Sequence, residues 1–517
     1  MPAIVKTKEK QEFGDFQTPI ELAEDVCRLL FEGGLRPAAA LEPTCGVGNF
    51  LRAFLKTFPD AERVVGVELN REYVGHARRL VDDLAAGARV SIIEGDFFKL
   101  DWATVVGSLP DPLLILGNPP WVTNADLGNL KSRNLPKKSN FQMRRGIDAL
   151  MGHSNFDISE WMLVQTLDWV ANRNATVAML CKTAVARRVL LHAWRFSHKL
   201  GFSAIYEIDA VRYFGAMVDA CLLVMESSTR ISRYDCPVYA DLRHSEPKSV
   251  LGFRKGHLAA DIRHFDRWSH LEGTEWYKWR SGIKHDCSKV MEFTKKNNAY
   301  QNGFGEFADL EEEYLYPMLK SADLAHACAP SRWMLVPQRS AQEDTAELMY
   351  KAPSIWRYLE RHAKLLDGRS SSIYRKRPRF SVFGVGDYTF AFWKVATSGF
   401  YKKLDFKVVG PHGGRPVVLD DTCYFLACHS YEEATLLSRL LNSDIAKEFF
   451  LSQVFWDSKR PITAALLRRL DLLLVAREMN LERDLRKYLH PQPRPPKESF
   501  QLRLKLIPTS VTRVGEM

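Results

Sequence analysis

Ala39-Ala40-Leu41-Glu42-Pro43-Thr44-Cys45-Gly46-Val47-Gly48-Asn49-Phe50-Leu51 is the stretch on which the fold turns. Its apolar start reads as a short buried strand, its middle as a tight glycine turn, and Asn49 onward as a helix reaching Thr57. A strand that feeds through a glycine loop into a helix opens a doubly wound α/β sheet, a fold that binds ligands beyond the carboxyl ends of its strands. Gly46 and Gly48 let the backbone turn sharply and approach a ligand with no side chain between. The loop departs from the dinucleotide fingerprint, because Leu51 stands where that pattern needs glycine and an acid, Glu42, stands at the entrance.

Working outward, short apolar runs alternate with amphipathic stretches over the first 230 residues. Strands are expected at Ala39 to Glu42, Val64 to Glu68, Val90 to Glu94, Leu113 to Leu116, Ala175 to Leu180 and Ala220 to Met225. Helices are expected at Ile20 to Phe31, Asn49 to Thr57, Arg71 to Leu84 and Ile158 to Val170. Val122 to Phe156 breaks the rhythm with Lys, Arg, Asn, Ser and Gly; it is too long for a casual loop and reads as a mobile functional insert. After Ser227 the alternation fades into a mixed, aromatic-rich α+β region. From His490 a proline-rich basic tail follows. The expected divisions are therefore 1–230, 231–489 and 490–517, in keeping with a chain of 517 residues, more than one core usually supports.

Three successive strand ends carry acids. Glu42 precedes the glycine loop, Glu68 closes the second strand where a carboxylate can accept ribose hydroxyls, and Glu94-Gly95-Asp96-Phe97 closes the third. Asp96 can accept from a purine amine while Phe97 packs near its ring. Such a row suits a ligand with a ribose, a purine and a cationic centre and no phosphates.

Leu113-Leu114-Ile115-Leu116-Gly117 then leads into Asn118-Pro119-Pro120-Trp121 at the end of the fourth strand. Two prolines remove two backbone donors and stiffen the turn, leaving carbonyls free to accept. The Asn118 side-chain oxygen beside the Pro119 carbonyl makes a pair of acceptors for a planar NH2 group. Trp121 offers a flat face for a stacked base.

These residues resemble the adenine-N6 DNA methyltransferases of the gamma arrangement, in which catalytic motifs precede the target recognition domain. Phe16-Gln17-Thr18-Pro19 is similar to the segment that touches the methionine end of their cofactor. Glu42, Gly46, Gly48, Glu68, Asp96 and Asn118 match their cofactor and catalytic positions, and Thr44, Cys45, Asn49, Leu69 and Phe97 complete the set. Cys45 stands where a small or acidic residue is more usual. Arg212-Tyr213-Phe214-Gly215-Ala216 resembles the motif whose aromatic ring covers the second face of a flipped adenine, which assigns that role to Phe214, with Tyr213 as the competing choice. The resemblance implies a Rossmann-like methyltransferase sheet, S-adenosyl-L-methionine as cofactor, and Asn118, Pro119, Pro120, Trp121 and Phe214 around the target amine.

The charge balance points the same way. Residues 1–250 hold 30 Lys+Arg against 30 Asp+Glu, leaving 42 against 32 for the remainder, so the whole surplus of +10 lies in the second half. A neutral half joined to a basic one suits chemistry in the first and a polyanion on the second. Lys284, Tyr374, Arg375, Lys376, Arg377, Arg379, Lys402 and Lys403 fall in segments resembling the family's recognition region and are the expected contacts to double-stranded DNA.

Nine scattered cysteines with no CxxC pair argue against a disulfide framework or a zinc site, and no metal is expected. The absence of a long apolar run and of a secretion signal predicts a cytoplasmic protein with no membrane partner. Fused relatives carry a nuclease ahead of the methyltransferase, whereas here about a dozen residues precede Phe13; Glu246-Pro247-Lys248, the best internal nuclease-like match, has a proline where a strand should run. A monomer working with a separately encoded restriction endonuclease is therefore expected. The alternatives are a non-catalytic DNA-binding homologue, or methylation of RNA or of a protein glutamine.

Overall fold

A computed structural model describes residues 16–84, 86–122, 157–297, 299–458 and 460–489. The expected insert, apart from Val122, and the expected basic tail lie outside the described residues. The chain opens with α1 (Ile20–Glu32), β1 (Ala39–Glu42), α2 (Asn49–Thr57), β2 (Arg63–Glu68), α3 (Arg71–Asp83) and β3 (Val90–Glu94). It continues through α4 (Trp102–Gly107), β4 (Leu113–Gly117), α5 (Ile158–Val170), β5 (Ala175–Lys182), α6 (Thr183–Arg195), β6 (Leu200–Ile208), α7 (Ala210–Phe214) and β7 (Ala220–Ser227).

The strands pair in the order β6-β7-β5-β4-β1-β2-β3. β1 to β5 are mutually parallel, and β7 runs antiparallel between β5 and β6. Every residue of β1 and β4 is buried, as expected of central parallel strands covered on both faces. On one face α1 turns Leu22, Ala23, Val26, Cys27 and Leu30 to the sheet, a helical spacing that makes one apolar stripe. α3 is capped by Asn70, whose Oδ1 accepts the Glu72 N–H at 2.9 Å.

From β1 the chain winds outward through β2 and β3, then returns to place β4 on the other side. That reversal opens a crevice above the carboxyl ends of β1 and β4.

Three further strands, β8 (Asp235–Tyr239), β9 (Ser249–Arg254) and β10 (His257–Ala259), extend the same sheet beyond β6 to ten strands. The boundary expected at residue 230 thus falls inside the sheet, because β8 pairs in parallel with β6 through Ile205 and Val238. Pro237 sits within β8, paired opposite Val250. Glu246-Pro247-Lys248 lies in the connection leading to β9, and Lys248 forms an ion pair with Glu207 at 2.5 Å.

The second half is mixed α+β. It holds a four-stranded sheet, β11 (Arg280–Ser281), β20 (Cys423–Cys428), β17 (Trp393–Ser398) and β18 (Lys407–Val409). Its six-stranded sheet runs in the order β14 (Phe307–Ala308), β13 (Ala299–Asn302), β12 (Glu292–Lys296), β16 (Arg332–Leu335), β15 (Leu315–Leu319) and β19 (Val418–Leu419). Helices Tyr431–Leu441 and Asp444–Leu451 close a core that includes Leu437, Phe449 and Phe450. The halves are tied where Arg187 of α6 meets Asp457 at 2.6 Å and lies over the Phe455 ring. Among the described residues no helix is long and apolar enough to cross a membrane.

Candidate active site

The crevice holds a cavity of about 500 Å³ walled by strand ends from β1 to β4, by the segment before α1 and by α5. At its floor the glycine loop takes the shape its sequence demands. Gly46 and Gly48 have φ of +52° and +92°, in the left-handed region that L side chains avoid. A Cβ on Gly46 would also strike the Gln17 side chain. Gln17 Oε1 accepts the Val47 N–H at 3.1 Å, and Asn49 Nδ2 donates to the Thr18 carbonyl at 2.8 Å, so the segment before α1 is laced onto the loop.

The acids stand at successive strand ends. Glu68 accepts the Gly46 N–H on Oε2 at 2.9 Å and the Asn70 N–H on Oε1 at 2.7 Å, which fixes its carboxylate at the cavity wall. Asp96 accepts the Phe98 N–H at 2.9 Å, and its other oxygen meets the exposed Lys99 at 2.9 Å. Phe97 is buried against Trp102, Trp161 and Trp169. Glu42 differs from both, being 3% exposed with an Oε2 that has no hydrogen-bond partner among the described residues. Burial, with Glu68 alongside, pushes its carboxyl well above the usual carboxylate range against an opposing backbone hydrogen bond from Leu51. Burial and the same two acids raise the Cys45 thiol far above its ordinary value, so it stays neutral.

Of the residues expected to hold the cofactor, Thr18, Glu42, Thr44, Cys45, Gly46, Asn49, Glu68, Leu69, Asp96, Phe97 and Asn118 border the cavity. Pro19 and Gly48 do not. Pro19 instead caps α1, its carbonyl accepting from Leu22 and Ala23, and Gly48 lies against Ala77 of α3. Sequence reasoning missed Tyr73, Phe98, Ile158 and Met162 in the wall. Ile158 and Met162 are spaced i, i+4 on α5, which could have marked them as one face; no local signal marks the other two.

At the end of β4, Asn118 donates Nδ2 to the Phe16 carbonyl at 3.0 Å. Its Oδ1 is buried and has no hydrogen-bond partner among the described residues. Pro120 borders the cavity and Pro119 is buried beside it. Trp121 is 5% exposed and packs edge-on against Phe214, ring centroids 5.0 Å apart at 71°, with Phe16 5.8 Å from Trp121. The expected slot between Trp121 and Phe214 is therefore closed, since rings in contact leave no room for a third. Tyr213 lies to the side, 6.5 Å from Phe214, under the Arg212 guanidinium.

The residues expected to touch DNA divide. Arg375, Lys376 and Lys402 are exposed. Arg379 pairs with Asp367 at 2.8 Å, Lys403 with Asp405 at 3.8 Å and Lys284 with Asp286 at 3.5 Å. Arg377 donates to the Ala341 carbonyl at 2.8 Å, and Tyr374 donates to the Lys284 carbonyl at 3.2 Å beneath the Arg369 guanidinium. Tyr374 and Arg377 thus knit the fold, which local composition did not show.

A largely parallel sheet of this order, with an antiparallel β7, a glycine turn after its first strand and acids at the ends of the next two, is the Rossmann-like fold of the S-adenosylmethionine-dependent methyltransferases. Over 477 residues the chain is 43% identical to the type II methyltransferase M.NspV of Nostoc sp., covering 91% of this chain and 98% of that protein. The chain belongs to the type II methyltransferases. A stretch of 118 residues is 33% identical to the type II methyltransferase M.CvrRI of Paramecium bursaria Chlorella virus XZ-6E, covering 22% of this chain and 26% of that one. Among solved structures, the type IIL restriction-modification enzyme MmeI in complex with DNA matches with a TM-score of 0.50 and 13% identity. That match covers 87% of this chain and 64% of the other, so this chain spans less than two thirds of that enzyme's length, and the likeness speaks for the fold. No family model matches.

The cofactor is S-adenosyl-L-methionine. The donor set fits it. Glu68 and Asp96 line the cavity with carboxylates able to accept from hydroxyl or amine groups, Phe97 adds an aromatic ring beside them, and the Glu42 Oε2 has no partner among the described residues.

Proposed function

We propose that the chain methylates the exocyclic N6 amine of an adenine drawn out of double-stranded DNA, as the modification enzyme of a restriction-modification system. The sheet to about residue 259 performs the chemistry, and the basic second half holds the duplex. The observation that carries this reading is the Asn118 oxygen, buried, without a hydrogen-bond partner among the described residues, and borne on a residue that borders the cofactor cavity. An aromatic amine is a poor nucleophile because its lone pair is delocalised into the ring. An acceptor that draws an N–H out of the ring plane localises that pair, and alignment with the donor supplies much of the remaining acceleration.

S-adenosyl-L-methionine supplies an electrophilic methyl group on its sulfonium. Glu68 and Asp96 hold the nucleoside end, and Glu42 with the Gln17-Thr18 segment holds the amino-acid end. Asn118 is oriented by Phe16 and grips the amine, whose proton leaves after transfer. For the base to stack on Trp121, Phe214 must swing off that ring and close over the opposite face. The resemblance to adenine-specific enzymes at Asn118-Pro119-Pro120-Trp121 supports adenine as the target.

Transfer of labelled methyl from S-adenosyl-L-methionine to unmethylated duplex DNA, followed by nucleoside analysis, tests this. N6-methyladenine is expected, and Asn118→Ala should lower the yield below detection while cofactor binding survives. Label found only in cytosine, RNA or protein overturns the target, and an Asn118→Ala protein that turns over normally overturns the role of the turn.

A further inference from the structure

Lys182 is the last residue of β5, and its ammonium sits between two acceptors from different parts of the chain. It donates to the Trp121 carbonyl at 2.9 Å and to Asp157 Oδ2 at 2.7 Å. The sheet register explains the reach. Gly117 of β4 pairs with Met179 of β5, so the residues that follow run side by side past the sheet edge and Lys182 overhangs the turn. Asp157 is buried and serves twice, since its Oδ1 also caps α5 by accepting from the Ser159 N–H at 3.2 Å and the Ser159 hydroxyl at 2.6 Å. Beside this cluster the Ile158 N–H donates to the Val122 carbonyl at 2.9 Å. Val122 and Ile158 both border the cofactor cavity.

One cation therefore joins the backbone that leaves the Asn118–Trp121 turn to the helix that forms a cavity wall. The two prolines stiffen the turn internally but give it no fixed bearing on the rest of the site. A charge-assisted hydrogen bond to the next carbonyl supplies that bearing, because it sets the peptide plane between Trp121 and Val122 and, through it, the seat of the Trp121 ring.

We propose that Lys182, held by Asp157, is a positioning residue for methyl transfer: it fixes the Asn118–Trp121 turn at its working height over the cofactor. This rests on the reading of that turn given above. The Lys182 ammonium reaches the turn through a backbone carbonyl rather than through a reacting atom, so its loss should act on the rate of the chemical step more than on cofactor binding.

The test compares full-length Lys182→Met, Lys182→Arg and Asp157→Asn proteins in single-turnover methylation of duplex DNA, with S-adenosyl-L-methionine binding measured by calorimetry. Lys182→Met keeps the apolar stem and loses the donors; its rate per bound cofactor should fall about 10- to 100-fold, the scale of a misplaced reacting group, with binding stoichiometry unchanged. Lys182→Arg should recover most of that loss, and adding Asp157→Asn to Lys182→Met should cost little more, since both cut one linkage. A Lys182→Met rate that drops only in step with the fraction able to bind cofactor overturns the proposal. Asn118→Ala run alongside separates the two ideas. If it stays active, the reading of the turn has failed; if it is inactive while Lys182→Met runs at full rate, the positioning role alone has failed.

Discussion

The side-chain nitrogen of Asn118 donates to the carbonyl oxygen of Phe16 at 3.0 Å, joining the end of β4 to a segment 102 residues earlier. With one of its two N–H groups so engaged, the amide is held in one orientation and its oxygen is left to accept from a substrate. Asn118→Asp keeps an acceptor but sets a carboxylate against that carbonyl, so the side chain loses its fixed direction. Single-turnover methylation by this variant should fall about 10- to 100-fold, the equivalent of one lost buried hydrogen bond at about 1–3 kcal/mol, and Asn118→Ala should fall further. Should Asp and Ala prove equally slow, the oxygen would not be the working atom.

Glu42 sets stability against binding. Its folded-state carboxyl titrates well above the ordinary value because it is buried with Glu68 nearby. A raised carboxyl contributes most below the unfolded value, about 4.3, and loses that contribution as pH climbs toward the folded one, so the cofactor-free protein carries a penalty at neutral and alkaline pH. Glu42→Gln should raise the melting temperature of the cofactor-free protein at pH 8 by a few degrees, about what 1 kcal/mol gives in a chain of this kind, and the gain should shrink toward pH 5. Affinity for S-adenosyl-L-methionine should drop about tenfold, or about 1.4 kcal/mol. Scanning calorimetry and titration calorimetry read the two effects, and a lower melting temperature at pH 8 would count against the buried charge.

Trp121 and Phe214 meet edge-on at 5.0 Å, so a base can enter only if they part. Phe214→Ala removes the ring that must close over the base, and base–aromatic stacking is worth about 1–3 kcal/mol. Methylation efficiency should fall about 10- to 100-fold, and 2-aminopurine at the target position should brighten less on binding than with the unaltered protein. Unchanged rates and emission would remove Phe214 from the site.

The sheet was legible where burial is symmetrical and chain order is simple. Ala39–Glu42, Val90–Glu94 and the helices Asn49–Thr57 and Ile158–Val170 have the bounds their periodicity predicts. β6, with a mixed burial pattern along Leu200–Ile208, escaped notice, and so did β8, whose Pro237 argues locally against a strand. Within the site, the glycine turn and the acids at strand ends show in sequence because backbone geometry and ligand polarity demand those residue types. Tyr73 and Phe98 do not show, since an aromatic wall residue looks like any core residue until tertiary packing brings it to the cavity. The closed Trp121–Phe214 pair is likewise a property of ring orientation, which no spacing encodes.

Ion pairing sorts the basic residues of the second half. Arg375, Lys376, Lys402 and Arg379 are all exposed, but Arg379 is engaged by Asp367. Each cation that meets a phosphate releases about one counterion, so replacing any of the first three by Gln should weaken DNA binding uniformly across sequences and flatten the salt slope by about one unit. Arg379→Gln should change the slope by less, its charge being already partly neutralised. Fluorescence anisotropy at several salt concentrations measures this, and equal slopes for all four variants would place the duplex elsewhere.

Lys394 gives the second half a pH dependence of its own. It lies on β17 with 1% exposure, its ammonium donating to the Ala391 carbonyl and resting 5.9 Å from the Phe425 ring centroid. Burial brings its titration down from the usual 10.5 to about 7, only weakly opposed by Cys428. Because the folded value is depressed, the unfolded chain holds the extra proton between those limits. Stability should therefore rise with pH from about 7 toward 10.5 and be independent of this group below 7. Lys394→Met keeps the length of the side chain and removes the titration, so it should stabilise the protein at pH 7 by on the order of a few kcal/mol, with the advantage shrinking by pH 9.5. Denaturant unfolding of both proteins at the two pH values decides it: a constant difference, or a less stable Lys394→Met at pH 7, would mean that the ammonium is compensated in the fold and is not a neutral amine held in the core.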